Sequence, residues 1–409
     1  MLPVRVVCLV LAPACLVGTV ASPDGVRAAE PAAVKAVPDP RQKPLFEKLQ
    51  VDGAWKVTQG DPKVVVGVID NGFDFFHPDL KGQVEPGYYY SGGYHPEVYV
   101  NLAHGTLVAS LIVARSREKD SMSGLAPRCK ILAACQGTID HKLLRLQKEF
   151  FEKNPKGSMQ EFFVTHASEI APWAKDFATY QATGAAEAVR YLTDRGVRVI
   201  NFSGGLRRGL VPTKEAWTKV EEAFAHAAAK NVVIVISAGN DGARTEDYPG
   251  DGKTVIVAGA TLLDDKRWEK EMEVRGVKVK QGSNFGNRLT CMAPVQDLLV
   301  CAPHEKRVYE ADDGPYGSMK EVFKGPHDVL SIGATSSAAP IVSALAALVF
   351  SARPDLDAPT VVELIRQGCD DLGDPPPSSV GKRSASGVRT SRTRMFRTVS
   401  AFSAPPNVP

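Results

Sequence analysis

Val64-Val-Val-Gly-Val-Ile-Asp70 is an unbroken apolar run that closes on a carboxylate, and Asn71-Gly72 turns the chain directly after it. Without period-two alternation, such a run reads as a parallel strand buried on both faces. Lys130-Ile-Leu-Ala-Ala134, Val197-Arg-Val-Ile-Asn-Phe-Ser203, Val232-Val-Ile-Val-Ile-Ser-Ala-Gly-Asn240 and Thr254-Val-Ile-Val-Ala-Gly-Ala260 have the same character. Helical patterns lie between them, at Ala185 to Arg195 and at Lys214 to Lys230, where Trp217, Val220, Phe224 and Ala227 share a face. This alternation predicts an α/β fold: a three-layer, doubly wound, mostly parallel sheet with helices on both faces. Ligands bind beyond the carboxyl ends of such strands. Asp70 is therefore a site candidate as well as a turn former.

The chain has 409 residues and 44% hydrophobic content, enough for a large core. Its net charge of +3 is unevenly spread. Lys382, Arg383, Arg389, Arg392, Arg394 and Arg397 crowd a stretch after Pro375 that carries no acid, which leaves the remainder at −3. The body is not a nucleic-acid binder by charge, and residues 374–409 read as a basic, disordered tail.

Residues 1–21 carry Arg5, then an apolar run from Val6 to Val20 broken by Pro13, then small residues around Ala21-Ser22. That is a signal-peptide pattern, too short and interrupted for a membrane span. It predicts a secreted, periplasmic or extracellular protein, with lipid attachment at Cys15 as a minor alternative. Residues 22–45 are rich in Ala, Pro and Lys and read as a linker or short pro-segment. After cleavage near Ala21 five cysteines remain; Cys129 with Cys135, or Cys291 with Cys301, are the candidate local bridges in an oxidising compartment, with unpaired buried thiols the equal alternative. No cysteine spacing suggests zinc. The main domain is placed at 46–373. Within it, 139–181 reads as one or two inserted helices whose aromatics belong to a core, and Asp264 to Lys280 as a charged, exposed excursion.

Two further stretches carry chemistry. Asn101-Leu-Ala-His-Gly-Thr-Leu-Val-Ala109 sets His104 at a helix start, where the N-terminal field keeps an imidazole neutral enough to act as a base. Gly333-Ala-Thr-Ser-Ser-Ala-Ala-Pro-Ile-Val342 reads as a turn feeding an apolar helix, with Thr335 or Ser336 able to cap it and Pro340 early enough to be tolerated. A hydroxyl is a poor nucleophile unless a base takes its proton, and the base needs an anion to hold its tautomer. The chain order Asp70, His104, Ser336 separates this arrangement from the Ser-acid-His and His-Asp-Ser orders of other folds.

With these residues in place the chain resembles the subtilisin-family serine proteases, the subtilases, from about Val51 to Asp371. Asp70-Asn-Gly followed by His77-Pro-Asp-Leu80 is similar to the family's Asp motif. His104-Gly-Thr with Val108-Ala109 is similar to its His motif, and Thr335-Ser-Ser-Ala-Ala-Pro340 to its Ser motif, with Pro340 four residues after Ser336. Ala238-Gly-Asn240 resembles the oxyanion segment. The resemblance implies a secreted endopeptidase with a subtilisin-like fold, acting on polypeptides as a monomer. Ser336 would be the nucleophile, His104 the base, Asp70 its orienting acid and Asn240 the oxyanion donor. Phe202-Ser-Gly-Gly205 would pair with substrate backbone as an added strand.

Three departures bear on function. Ala334 stands where the family has Gly, and a positive φ there would cost Ala about 1–2 kcal/mol. Together with a tail after Asp374 that lacks the family's usual closing helix pattern, this motivates the alternative of a catalytically weak or inactive peptide-binding module. Arg115-Ser-Arg-Glu-Lys119 is poor in oxygen ligands, so neither metal nor other cofactor is expected, although the resemblance makes Asp79 a calcium-ligand candidate. No phosphate-loop fingerprint follows any strand, which counts against a nucleotide site.

Overall fold

A computed structural model describes residues 39–89, 98–99, 102–116, 122–135, 139–140, 146, 149–150, 152–154, 159–274, 277–302, 327–372 and 397–399. The apolar runs of the sequence become the inner strands of one sheet: β1 (Val65–Asp70), β4 (Lys130–Cys135), β6 (Val199–Phe202), β7 (Val233–Ser237) and β8 (Val255–Thr261). With β2 (Val84–Tyr89), β11 (Cys291–Pro294), β14 (Cys369–Asp371) and β15 (Arg397–Val399) they form a nine-stranded sheet of order β14-β15-β11-β8-β7-β6-β1-β4-β2. All neighbours pair in parallel except β14 with β15. From β1 the chain places β2 at one edge and inserts β4 between the two, then crosses to β6, β7, β8 and β11 on the other side of β1. The strand order therefore reverses between β1 and β6, where open α/β sheets hold their ligands.

Both faces of the sheet are covered, as its unbroken hydrophobicity requires. Val233 and Val235 of β7 join one core cluster, with α3 (Leu102–Val113), α7 (Thr335–Ala352) and α8 (Ala358–Gln367). Ile234 and Ile236 join the other, against α5 (Ala167–Asp194) and α6 (Lys214–Ala229). Helix α7 is long and apolar enough to cross a membrane, but it is buried against β6, β7 and β8, which explains its composition.

Several expectations change. The linker ends earlier than residue 45. Asp39 caps a short 3-10 turn at Pro40–Gln42, α1 (Lys43–Lys48) and α2 (Val51–Val57) follow, and buried Gln42 exchanges hydrogen bonds with the Ser123 backbone. The 139–181 insertion contains β5 (Ile139–Asp140), which pairs with β3 (Val98–Tyr99), and α4 (Met159–Thr165). From Ala167 it is continuous with the next helix, giving the 28-residue α5, which runs through Gly184 without a break. The charged excursion is an antiparallel hairpin of β9 (Glu269–Val274) and β10 (Val277–Gly282), whose register sets Glu273 opposite Lys278 and Glu271 opposite Lys280. Such opposed charges support a ladder that polarity alone conceals.

In the stretch read as a disordered tail, Arg397–Val399 forms β15 between β11 and β14; its other residues lie outside the described ones. The signal peptide, Cys15 and residues 22–38 also lie outside them. The five cysteines of the domain are all free thiols. Cys129 immediately precedes β4 and Cys135 ends it, a span of roughly 3.3 Å per residue that no bridge closes. Cys301 ends β12 (Gln296–Cys301), which pairs with β13 (His327–Ile332), whereas Cys291 begins β11 in the main sheet.

Candidate functional site

Asp70 ends β1 with its side chain only 3% exposed, and both its oxygens face the Nδ1 of His104, at 2.8 and 2.9 Å. Oδ1 also accepts the Asn71 N–H at 2.7 Å, so the turn itself fixes the carboxylate. Helix α3 begins at Leu102, which places His104 in its first turn. Gly105 allows this helix to meet the β1 turn: a Cβ there would lie 2.1 Å from the Gly72 carbonyl oxygen. Thr106 accepts the Asp74 N–H at 2.8 Å, and the Cys135 thiol donates to the Asn71 carbonyl at 2.8 Å. The sequence reading had assigned neither residue to the site.

Burial lowers the affinity of the His104 ring for a proton, but the charge and hydrogen bond of Asp70 outweigh it and raise its pKa above 6.5. Because the carboxylate holds Nδ1–H, Nε2 carries the lone pair. The imidazole is 34% exposed, so that lone pair belongs to a group reachable from outside.

Ser336 is the second residue of α7, whose N-cap is Ala334 without any side-chain cap. Neither hydroxyl expected to cap the helix does so. Thr335 Oγ1 instead donates to Asn240 Oδ1 at 2.7 Å and accepts the Gly239 N–H at 3.2 Å. Thr335 N–H also donates to Asn240 Oδ1, at 3.1 Å. A backbone N–H can only donate, so Asn240 must present its oxygen to Thr335, leaving its two amide hydrogens for another acceptor. The Ser336 N–H lies in the first turn, where no intrahelical acceptor exists. An amide side chain and a free helix-start N–H are thus joined through Thr335, an arrangement suited to receiving an oxyanion.

Ala334 has φ −133° and ψ −173°. This is ordinary extended backbone, so the expected penalty for replacing Gly is absent. Pro340 lies deeper in α7 than the sequence reading assumed. Its missing N–H would have bonded the Ser336 carbonyl. The Ser203 hydroxyl takes that acceptor at 2.9 Å. Ser203 is held by Asn201 Nδ2 at 3.0 Å, whose own oxygen accepts from Ser343 at 3.0 Å. The Ser336 hydroxyl donates to the Ser203 carbonyl at 3.2 Å, and it makes no hydrogen bond with His104 among the described residues. Ser203 follows β6, the strand beside β1, so the Ser336 hydroxyl stands at the end of the strand neighbouring that of Asp70. Of the other residues expected to line this edge, Gly204 is exposed and Gly205 half-buried, while Phe202 is 4% exposed and belongs to the core.

Among the described residues, Asp79 meets no oxygen-rich ligand set that calcium would need. Asp79 is buried with His77 and Cys301, their nitrogen, oxygen and sulfur atoms within 4.8 Å of one another. Calcium takes oxygen ligands, and one Asp79 oxygen already accepts the Met122 N–H at 3.2 Å. A softer cation fits no better. His77 Nδ1 accepts the Asp79 N–H at 3.2 Å, which places the ring proton on Nε2 and leaves neither nitrogen free to ligate.

Residues 61–380 match the profile of the Subtilase family, Peptidase_S8. Over 301 residues the chain is 27% identical to a thermophilic serine proteinase of Bacillus sp. (strain AK1), covering 73% of this chain and 55% of that protein. It is 25% identical over 312 residues to a cell wall-associated protease of Bacillus subtilis (strain 168), covering 75% of this chain and 26% of that one. The chain thus spans about half and about a quarter of the lengths of these relatives. Among solved structures, MycP1 from Mycobacterium smegmatis superposes with a TM-score of 0.53 at 20% identity, covering 88% of this chain and 83% of that one, a likeness of fold.

Proposed function

Since the chain belongs to the subtilase family of serine proteases, we propose that it is an exported endopeptidase that cleaves polypeptides through Asp70, His104 and Ser336, with Asn240 as oxyanion donor. The observation that carries this reading is the double contact of Asp70 with His104 Nδ1, one strand away from the Ser336 hydroxyl. In the reaction the Ser336 hydroxyl turns from the Ser203 carbonyl to His104 Nε2. It loses its proton there as Oγ attacks the substrate carbonyl carbon. Charge developing on the carbonyl oxygen is received by Asn240 Nδ2 and the Ser336 N–H. The imidazolium, stabilised by Asp70, gives its proton to the leaving amine. Water, deprotonated by His104, then releases the acyl group from Ser336.

Substrate lies extended along Ser203, Gly204 and Gly205, pairing through backbone groups. The inactive peptide-binding alternative rested on Ala334 and on a tail lacking the family's closing helix pattern; the extended backbone at Ala334 removes the first of these motives. Export rests on the Arg5-to-Ser22 pattern alone. Incubating the purified protein with a peptide library and mapping the products tests the proposal. Cleavage that disappears in Ser336→Ala is the expected result, and peptides retained without turnover would favour the binding module instead.

A further inference from the structure

Asn284 is wholly buried, and all four of its side-chain hydrogen bonds go to the loop that carries Asn240. Its Oδ1 accepts from the Asp241 N–H at 3.1 Å and the Ala243 N–H at 3.0 Å. Its Nδ2 donates to the Ala238 carbonyl at 2.9 Å and to Asp241 Oδ2 at 3.0 Å. These contacts grip the loop on both sides of residue 240. Gly239 crosses directly over the amide, with φ +93° and so little room that a Cβ would lie 2.6 Å from Asn284 Nδ2. Backbone bonds run alongside: Asn284 N–H to the Gly239 carbonyl at 2.9 Å and Gly282 N–H to the Asn240 carbonyl at 3.0 Å. Arg207 Nη2 closes the network on Asp241 Oδ2 at 2.7 Å.

A side chain satisfied on every arm, and spent wholly on one short loop, does more than fill a core. A buried amide donates and accepts in fixed directions, so it sets the loop's position as well as its stability. An oxyanion donor contributes only when preorganised to within a fraction of an ångström. Thr335 bonds the Asn240 side chain, whereas Asn284 bonds the backbone on either side of residue 240, at Ala238, Asp241 and Ala243.

We infer that Asn284 is a positioning residue for the oxyanion site, acting through the 238–243 loop to hold Asn240 where the transition state needs it. The inference rests on the oxyanion role proposed for Asn240. If it holds, loss of Asn284 weakens an interaction made only in the transition state, so kcat falls while KM stays nearly constant. Merely destabilising the fold would lower the amount of active enzyme without changing the kcat of the folded fraction.

The test is a double-mutant cycle on the full chain, with a chromogenic peptide substrate and folded protein quantified by thermal unfolding. Asn284→Ala is expected to lower kcat on the order of 10-fold or more, with KM within about twofold of wild type. In an Asn240→Ala background the same change should have no further effect, because the donor it positions is gone. Asn284→Asp is run in parallel: it keeps the side-chain shape but sets a carboxylate oxygen against Asp241, so it should lower kcat likewise, and a variant that does not fold leaves the other to decide. Wild-type kcat in the folded variant, or losses that multiply with Asn240→Ala, would overturn the inference. An Asn240→Ala enzyme with unchanged kcat would overturn the oxyanion reading itself, a separate result.

Discussion

The Ser203 hydroxyl donates to the backbone carbonyl of Ser336 at 2.9 Å, in the place of the helical N–H that Pro340 lacks. One proline thus hands a helix acceptor to the neighbouring strand end and ties the candidate nucleophile to the substrate edge. Ser203→Ala leaves that carbonyl unpaired and should destabilise the protein by about 1–3 kcal/mol. In a Pro340→Ala background the restored N–H competes for the same oxygen, so the effect of Ser203→Ala should shrink. Denaturant midpoints of the four proteins in this cycle measure it; equal effects in both backgrounds would contradict the exchange of partners.

Gly105 meets Gly72 so closely that any side chain would strike the turn after β1. Gly105→Ala must push α3 away from Asp70 and break the contact with His104. A loss of stability of about 3 kcal/mol or more is expected, together with loss of peptide cleavage. Thermal unfolding and a peptide assay read both, and an active, stable Gly105→Ala protein would refute the packing argument.

Ala334 is extended, so restoring the family's glycine should not help. Ala334→Gly is expected to leave kcat within about twofold and to lower stability by about 0.5–1 kcal/mol, through the greater freedom of glycine in the unfolded chain. A large gain in kcat would show that strain at this position does limit the enzyme.

His104 has a raised pKa: burial pulls it down, but the charge and hydrogen bond of Asp70 pull it up further. In the proposed mechanism the acting base is the neutral ring, so the acid limb of kcat/KM should lie above 6.5. The stabilisation linked to the same shift is fully present below the unfolded value near 6.5 and is lost as pH rises through the folded value. Asp70→Asn removes the charge and leaves at best a weaker, neutral hydrogen bond. The limb should then move to lower pH, while kcat drops on the order of 10⁴-fold, the scale known for this acid in serine proteases including subtilisin. A pH–rate profile of each protein decides; an acid limb unmoved by Asp70→Asn would sink the pairing.

How much of this was legible in the sequence depends on the kind of signal. The inner strands announced themselves because Val, Ile and Ala must cover both faces of a parallel strand, and Asp70, the Gly204-Gly205 turn and Asn240 stood out as polar or small breaks at their ends. The hairpin at Glu269 to Gly282 was read as an excursion because its alternating charges look like a loop until the partner strand is known. Likewise β15 owes its place to β11 and β14, distant in sequence, and nothing local in Arg397–Val399 announces it.

Supporting residues were harder to see. Thr335 looked like a helix cap, since capping is what a hydroxyl at that position ordinarily does, and only the fold reveals Asn240 as its partner. Asn284 sits in a short polar stretch with no periodicity, and its worth comes from meeting residues 238, 241 and 243 in space. The one available hint was Gly239, a glycine beside an amide, whose need for positive φ and close approach implies a neighbour pressed against it.

The central claim is that Ser336, activated by His104, is the nucleophile, and covalent labelling tests it most directly. Folded protein treated with a fluorophosphonate probe, digested and analysed by mass spectrometry should carry a single adduct on Ser336. Labelling should vanish in Ser336→Ala and fall sharply in His104→Ala. An unlabelled folded protein, or an adduct on Ser337 that persists in Ser336→Ala, would contradict the account.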